Sequence, residues 1–155
     1  MSFIIREAIR SDAEVAFTLI HELAIYDEVD DYLLITLDQF TEAAFGANPR
    51  FNILVAEENG SLVGVATYFH RFHIWFGENI IQIDDLFVKP SARGHGIGNK
   101  LLEAIGLMAK KENVHVRWNI ERENFSTIAF YKRKGVEYQT KGVCLWAPEN
   151  IKLTE

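Results

Sequence analysis

Several features of secreted, membrane-spanning and metal-binding proteins are missing from this chain. Cys144 is the only cysteine among 155 residues, so no intrachain disulfide can form, and we expect a reducing cytoplasm. No run of about 18 apolar residues is present, which argues against a membrane span. The first residues lack the charged and apolar segments of a signal peptide. His70 and His73 are three positions apart in a predicted strand and face opposite sides, so we expect no metal site.

Lysine and arginine are absent from a long stretch near the N-terminus. Residues 11–49 hold nine acidic side chains and no lysine or arginine, whereas the rest of the chain holds thirteen acidic and sixteen basic side chains. No broad basic face is evident, so we expect no nucleic-acid partner. An acidic segment suits a cationic substrate, and a basic remainder suits an anionic cofactor. The alternative, an acidic helical face that only keeps the protein soluble, stays open at this point.

The composition is otherwise that of one ordinary globular domain. A chain of 155 residues with 48% hydrophobic residues is sized for a single core, and we expect one domain over residues 1–155. Hydrophobic periodicity and turn residues, including a hairpin signal at Asn59-Gly60 and a capping box at Thr36 and Gln39, define the elements. The predicted strands cover 3–8, 51–57, 62–72, 79–88, 114–120 and 143–146. The predicted helices cover about 12–26, 37–46, 97–109 and 126–134, and this order indicates a mixed α/β sheet.

The strongest functional signal lies between Arg93 and Gly98. An apolar strand ends at Val88, and a glycine-rich loop then opens onto a helix whose apolar face starts at Ile97. The first N–H groups of a helix have no partner within it and lie at the positive end of its dipole, and glycine lets the backbone approach a phosphate. The loop therefore predicts a pyrophosphate site, to which Arg93 adds a positive charge. Its spacing fits neither the dinucleotide fingerprint nor a Walker loop.

Two stretches of the sequence resemble motifs of one enzyme family. Arg93-x-x-Gly96-x-Gly98 resembles the coenzyme A loop of the GCN5-related N-acetyltransferase family. Asn124-x-x-Thr127-x-x-Phe130-Tyr131-x-x-x-Gly135 resembles the family's helix that carries a coenzyme-contacting asparagine and a tyrosine acid. The segments 131–135 and 22–26 are most similar to the spermidine/spermine (diamine) acetyltransferase branch. The resemblance covers most of the chain. It implies a mixed, splayed central sheet flanked by helices, with acetyl-CoA as the cofactor.

The resemblance also implies a reaction and the residues that serve it. The acetyl group would move from the thioester to a primary amine of a small cationic substrate, by direct attack in a ternary complex. Tyr131 would protonate the departing thiolate. Asp84 would activate the amine through water, because it stands where the branch has a glutamate and reaches about 1.5 Å less far. The residues implied to bind the cofactor are Leu86, Phe87, Val88, Arg93, Gly94, His95, Gly96, Ile97, Gly98, Asn99, Asn124, Ser126, Thr127 and Tyr131.

The neighbouring Asp85 has a different expected role. Successive residues of a strand face opposite sides of the sheet, so Asp84 and Asp85 are not expected to share one function. We expect Asp85 to be a hydrogen-bonded structural carboxylate near the end of its strand. Asp84 alone is therefore the candidate base.

The amine site is implied at Tyr26, Asp27 and Asp84, which match residues of the diamine branch. His73 and Lys141 stand where that branch is expected to carry acids, and an additional cation repels a polycation. We therefore expect a short diamine or a lysine-like amino acid rather than a long polyamine. Because the family commonly forms homodimers, a homodimer is also expected, without a membrane partner.

Two other functions remain open from the sequence. In a protein or peptide N-acetyltransferase, the acidic helices would form a peptide groove, and acetylation would depend on the flanking residues. A non-catalytic acyl-CoA-binding module would need the cofactor loop but no catalytic groups. The presence of Tyr131 and of a carboxylate at position 84 argues against that module.

Overall fold

The computed structural model describes residues 2–144 and 147–150. The chain divides into two compact units, Met1–Asn119 and Ile120–Glu155, and the expectation of one domain stays a prediction. The first unit contains the strands β1 (Phe3–Glu7), β2 (Asn52–Glu58), β3 (Ser61–His73), β4 (Glu78–Val88) and β5 (Val116–Arg117). Its helices are α1 (Ala13–Tyr26), α2 (Leu37–Phe45) and α3 (Ile97–Glu112). The second unit contains helix α4 (Phe125–Arg133).

The five strands form one open sheet in the order β1-β2-β3-β4-β5. Strands β1 to β4 pair antiparallel, whereas β5 pairs parallel with β4. The β4–β5 ladder joins only Ile81 to Val116 and Gln82 to Arg117. Within the described part of the chain, β4 therefore continues to Val88 with no strand beside it on that edge. The predicted mixed sheet flanked by helices is confirmed, and it opens where β4 extends beyond β5.

Helix α3 covers one face of the sheet, and helices α1 and α2 cover the other. The α3 cluster buries apolar side chains at helical spacing against the sheet, namely Ile97, Leu101, Ile105 and Ala109 with Leu54, Ala66, Ile81 and Ile83. The opposite cluster joins Leu19, Ile20 and Phe40 to Ile53, Val55, Val65 and Phe87. Burial of each large apolar side chain contributes about 1.5–3 kcal/mol to folding. No helix of the described chain is both long and apolar enough to cross a bilayer.

Two local signals that were predicted from the sequence hold in the structure. The Thr36 hydroxyl accepts a hydrogen bond from Gln39 N–H at 3.2 Å, and Thr36 N–H donates to the Gln39 side-chain oxygen at 2.9 Å, so the capping box starts α2. Asn59 and Gly60 adopt left-handed φ angles of 51° and 77° and close the β2–β3 hairpin. The Asn59-Gly60 turn fixes the register of β2 against β3, the central strand, which pairs with β4.

Two predicted strands differ in the structure. The segment 114–120 supplies only Val116–Arg117 to the sheet, although Val114 and Trp118 still pack with the α3 cluster. Alternating apolar residues indicate only that one side of a segment is buried, whereas a strand also needs a neighbouring strand to pair with its N–H and C=O groups. In the tail, Val143 and Cys144 belong to no strand, and the rest of the predicted strand over 143–146 lies outside the described residues.

Candidate active site

A β-bulge lies at the two aspartates of β4. In the β3–β4 ladder, Tyr68 is opposite Ile83 and Thr67 is opposite Asp85. Asp84 is therefore the additional residue of β4, with no residue of β3 opposite it. Bulges bend a strand and redirect its side chains, and they are common beside active sites. The bulge places Asp84 at the point where β4 has already passed the short β5.

The bulge changes which side chains share a face of the sheet. Ile83 before it and Leu86 after it both pack with the α3 cluster, although a regular strand would turn residues three apart to opposite sides. This finding corrects the expectation that Asp84 and Asp85 face opposite sides, because the additional residue breaks the period of two. The two carboxylates are close enough for the charge of Asp85 to raise the pKa of Asp84.

Both aspartates have raised pKa values. For Asp84, partial removal from water is the larger cause, and repulsion by Asp85 is the smaller one. For Asp85, burial raises the pKa most, the Thr67 hydroxyl opposes the shift, and the negative charge of Asp27 adds to it. The Thr67 hydroxyl donates to Asp85 Oδ2 at 2.5 Å and accepts from Asp85 N–H at 3.1 Å. The predicted hydrogen bonding of Asp85 is thus confirmed, and its structural role stays a prediction.

Asp85 also lines a cavity of about 190 Å³ at the end of α1. Its walls are apolar apart from two carboxylates and one phenol, and they consist of Ile20, Leu23, Ala24, Asp27, Val29, Tyr32, Leu33 and Asp85. Asp27 directly follows the last residue of α1. Across the described residues, the ion pairs formed by lysine, arginine and histidine include neither Asp27, Asp84 nor Asp85. The cavity therefore suits an apolar chain that ends in a cation.

The glycine-rich loop forms an open cradle at the start of α3. Gly94 and Gly96 have φ angles of +83° and +79°, and a Cβ placed on either would meet no atom within 4 Å. Gly96 is the N-cap of α3 and has no side chain to occupy the first N–H groups of the helix. Gly98 differs, since a Cβ there would lie 3.6 Å from Leu86 and Val88, so it allows α3 to pack close to β4. The cradle fits the pyrophosphate of acetyl-CoA.

The Arg93 side chain is directed back to the sheet and to α1. Its Nε donates to the Val88 carbonyl at 2.9 Å. Its Cζ lies 4.5 Å from the centre of the Tyr26 ring and 5.6 Å from the centre of the Phe87 ring. The loop therefore contributes backbone N–H groups to the cradle, while the Arg93 guanidinium is bound within the protein.

Two further loop residues have specific contacts. The His95 ring nitrogen Nδ1 lies 3.3 Å from the Ala92 carbonyl oxygen. Asn99 Nδ2 donates to Glu103 Oε1 at 2.6 Å, and Asn99 Oδ1 is buried without a hydrogen-bond partner among the described residues. A buried acceptor without a partner is costly, so an N–H group of a ligand at the start of α3 would stabilise this position.

The second unit contains the remaining predicted residues. Asn124 caps α4, because its Oδ1 accepts from Thr127 N–H at 3.3 Å, and Ser126 Oγ lies 3.4 Å from the same atom. Tyr131 is half-buried in the last turn of α4, with its ring 5.6 Å from that of Phe130. The backbone of this helix matches the predicted one within one residue at each end.

The first unit places the Tyr26 ring beside Phe87 of β4, and Asp27 and Asp85 line one cavity. Sequence reasoning missed Thr67, which holds Asp85, and Tyr32, which lines the cavity. The acidic composition of residues 27–31 was the only signal for this wall, and nothing local marked Thr67. Within the described residues, no three histidine, cysteine, aspartate or glutamate side chains are grouped as a metal site requires.

Comparisons with known proteins agree with this geometry. A thialysine N-epsilon-acetyltransferase from Bos taurus is 30% identical over 151 residues, which cover 91% of this chain and 88% of that protein. A spermidine/spermine N(1)-acetyltransferase-like protein 1 from Homo sapiens is 32% identical over 114 residues, which cover 69% of this chain and 16% of that protein. An integron cassette protein from V. cholerae has the same fold, with a TM-score of 0.74 and 24% identity over 96% of this chain and 94% of its own.

The family assignment rests on matches that extend over most of the chain. The bovine relative is covered over nearly its whole length, and the human one supports the likeness to the spermidine/spermine branch. Residues 7–136 match the model of the Acetyltransferase (GNAT) family, a range that includes β2 to β5, the glycine cradle and α4. The chain therefore belongs to the acetyltransferase (GNAT) family and is an N-acetyltransferase.

Proposed function

We propose that this protein transfers the acetyl group of acetyl-CoA to a primary amine of a small cationic substrate, by direct attack in a ternary complex. One observation carries the proposal: Asp27, Asp84 and Asp85 lie at or near one cavity with no cationic partner among the described residues, and the pKa values of Asp84 and Asp85 are raised. A cationic amine would supply the missing opposite charge. The cofactor cradle begins at Arg93, whose side chain lies against Tyr26 beside this cavity.

Acetyl-CoA would supply the acetyl thioester, and the chain would hold it by backbone groups. The N–H groups at the start of α3 and the positive end of the helix dipole would bind the pyrophosphate between Gly94 and Gly98. The backbone of β4 from Leu86 to Val88, beyond the end of β5, would bind the pantetheine arm. The family motif around α4 supports Asn124, Ser126 and Thr127 as further cofactor-binding residues.

The amine must lose a proton before it can attack. A lysine-like amine has a pKa of about 10.4, so only about 0.04% is neutral at pH 7, a cost of roughly 4.6 kcal/mol. Asp84 would accept that proton through water. Its raised pKa makes it a stronger base than an ordinary aspartate. Tyr131 would hold the proton that the departing sulfur needs, and the family motif around α4 supports this role.

The substrate we propose is a short diamine or a lysine-like amino acid. The two-carboxylate cavity is small, about 190 Å³, and its apolar walls suit a methylene chain. Position 73 of the β3–β4 hairpin is a histidine rather than an acid, and its ring stacks on that of Phe76 with ring centres 4.3 Å apart. The name of the bovine relative, a thialysine acetyltransferase, supports a lysine analogue as substrate. We place the enzyme in the cytoplasm as a homodimer, in keeping with the family resemblance.

The test measures thiol release from acetyl-CoA, first without an amine and then with thialysine, lysine, 1,3-diaminopropane, spermidine, spermine and a set of lysine-containing peptides with different flanking residues. We expect low release without amine and the highest kcat/KM with a lysine-like amino acid or the short diamine. A clear preference for spermine would overturn the substrate class. Release that requires a peptide, with dependence on flanking residues, would establish the peptide alternative. Binding of coenzyme A without release under any condition would establish the non-catalytic module.

The cofactor cradle has its own test in Gly96→Asn. Asparagine tolerates a left-handed backbone, as Asn113 already does at φ 57°, so the substitution fills the cradle without preventing folding. We expect the affinity for coenzyme A, measured by titration calorimetry, to fall at least tenfold. Gly60→Asn is the matched control, because Gly60 has φ +77° and open space around it in the β2–β3 turn. Equal affinities in the two variants would overturn the cradle.

A further inference from the structure

We propose that Arg93 is a positioning residue that couples the cofactor loop to the amine cavity, an inference that rests on the proposed function. In the chain, Arg93 is the residue immediately before the open glycine at position 94. In space, its side chain reaches the last residue of α1 rather than the cradle. One side chain thus connects the loop that would hold the cofactor with the helix end that lines the amine site.

Three contacts fix the Arg93 side chain. Its Nε donates to the Val88 carbonyl at 2.9 Å, at the end of β4. Its guanidinium carbon lies 4.5 Å from the centre of the Tyr26 ring and 5.6 Å from that of Phe87. The Tyr26 and Phe87 rings are themselves 6.5 Å apart. The guanidinium therefore lies over the corner formed by the Tyr26 and Phe87 rings, with its Nε tied to a backbone carbonyl, a geometry that a lysine ammonium does not reproduce.

The far end of this connection is the amine cavity. Tyr26 ends α1, and Asp27, the next residue, lines the cavity together with Leu23 and Ala24 of the same helix. The last turn of α1 contains no basic residue. Arg93 brings a cation beside that helix terminus, where the dipole favours positive charge. The position of the Asp27 carboxylate thus depends on a contact made by the cofactor loop.

The near end of the connection is the cradle. Gly94 and Gly96 have left-handed backbones, and a Cβ added to either would meet no atom within 4 Å, so this side of the loop is open to a ligand. A phosphate bound there would fix the backbone next to Arg93, and through Arg93 it would fix Tyr26 and Asp27. The two ligands would then favour each other's binding by the same factor, as linkage requires.

The test compares coenzyme A affinity in Arg93→Lys, Tyr26→Leu, Tyr26→Phe and the Arg93→Lys/Tyr26→Leu double variant, by titration calorimetry. We expect Arg93→Lys to weaken binding about five- to thirtyfold, the effect of one cation–π contact and one hydrogen bond. Tyr26→Leu removes only the cation–π contact and should weaken binding about two- to fivefold. The double variant should bind coenzyme A no more weakly than the weaker-binding single variant, because both substitutions remove the same connection. Tyr26→Phe keeps the aromatic face and should retain the wild-type affinity. Arg10→Lys is the matched control, since Arg10 donates to the Phe45 carbonyl and to Glu42 away from the site.

A direct phosphate contact by Arg93 predicts different results. In that case Tyr26→Leu would leave coenzyme A affinity unchanged, and Arg93→Lys would keep most of the affinity because it keeps the charge. Arg93→Gln would also reduce the salt dependence of binding. Either an unaffected Tyr26→Leu variant or a reduced salt dependence would overturn the positioning role. If the wild-type chain binds no coenzyme A, the proposed function fails first, and that result is separate from the comparison of variants.

The coupling itself is measured with thialysine and coenzyme A. In the wild type, we expect coenzyme A to lower the Kd for thialysine. The tightening factor, which is the ratio of the Kd values without and with coenzyme A, should fall toward one in Arg93→Lys and Tyr26→Leu. A tightening factor that is unchanged in both variants would overturn the coupling, even if the affinities themselves are altered.

Discussion

Two groups of carboxylates in the first unit differ in how their charges are balanced. Near the β1 edge of the sheet, the Arg6 guanidinium donates to Asp12 at 2.6 Å and to Glu57 at 2.8 Å. Hydrogen bonding by Arg6 is the main reason that the pKa of Asp12 is lowered. Around the α1 cavity, the pKa values of Asp84 and Asp85 are instead raised by removal from water and by neighbouring negative charges. We call these groups the paired cluster (Arg6, Asp12 and Glu57) and the unpaired cluster (Asp27, Asp84 and Asp85).

The two clusters have opposite effects on folding: the charges of the paired cluster stabilise the folded state, and those of the unpaired cluster destabilise it. In the paired cluster, both partners are present in the chain, so the interaction favours folding. In the unpaired cluster, folding brings like charges together and removes water from them, which opposes folding. Such an arrangement is typical of a site whose opposite charge arrives with a ligand. Each prediction below removes or screens a charge in one of the two clusters.

The largest effect is expected from Asp84→Asn. If Asp84 accepts the proton of the amine, its loss should lower kcat by about 10²-fold, the usual size of a general-base contribution. The deficit should shrink at high pH, because more of the amine is then already neutral. The measurement is kcat as a function of pH at saturating acetyl-CoA and thialysine.

Two variants sharpen this result. Asp84→Glu restores the length found in the related branch and should retain activity far better than Asp84→Asn. Asp12→Asn, in the paired cluster, should keep kcat close to that of the wild type in the folded enzyme. Wild-type turnover in Asp84→Asn at neutral pH, with chemistry rate-limiting, would mean that the base is another group.

The second effect is on stability and belongs to the paired cluster. The Asp12 carboxylate accepts two hydrogen bonds from Arg6 and one from Ile9 N–H. Asp12→Asn removes its charge and replaces one acceptor oxygen by an NH2 donor, and we expect it to lower the free energy of unfolding by about 1–3 kcal/mol. The folded pKa of Asp12 is below its unfolded value, so its contribution is complete above the unfolded pKa and is lost as the pH falls through the folded pKa. Urea titrations between about pH 2 and pH 7 check this. The difference between wild type and variant should narrow toward low pH, and a constant difference would contradict it.

Much of the fold was predictable because its signals are local. Helix α3 shows apolar side chains at helical spacing, the Thr36–Gln39 box starts α2, and Asn59-Gly60 closes a hairpin. The cradle was predictable for the same reason, since a strand, glycines and a helix N-terminus follow one another in the chain. These features depend on neighbouring residues, and neighbours are what a sequence shows directly.

The bulge and the unpaired cluster were not predictable, because they depend on residues far apart in the chain. Thr67 decides that Asp85 rather than Asp84 lies opposite it, and it is 18 residues away. The position of Arg93 against Tyr26 joins residues that are still more distant. From the sequence, the side chains of Asp84 and Asp85 were expected to alternate between the two faces of the sheet. Only the pairing with β3 shows that this alternation is interrupted.

The third effect tests the buried member of the unpaired cluster. Asp85→Asn should raise the KM for thialysine about tenfold, the loss of one charge interaction of roughly 1.4 kcal/mol, with a smaller change in kcat. The folded pKa of Asp85 is above its unfolded value, so the contribution of Asp85 to stability is complete below the unfolded pKa and is lost as the pH rises through the folded pKa. Asp85→Asn should lack that decrease, because it has no charge to bury. Stability curves with the same pH slope in both proteins between about pH 4 and pH 8 would contradict this.

The smallest effect is that of salt, and it distinguishes the clusters without any substitution. Raising the ionic strength from about 0.1 M to 1 M shortens the screening length from about 10 Å to 3 Å. The KM for thialysine, measured at saturating acetyl-CoA so that cofactor binding does not enter, should rise about two- to fivefold. The rise should be smaller in Asp85→Asn, which attracts the amine with fewer charges. The paired cluster should respond less, because Asp12 is only 12% exposed and contacts Arg6 directly, so the stability difference between wild type and Asp12→Asn should change little. A KM that does not respond to salt would mean that the unpaired carboxylates do not attract the substrate, and the contrast between the two clusters would then concern folding alone.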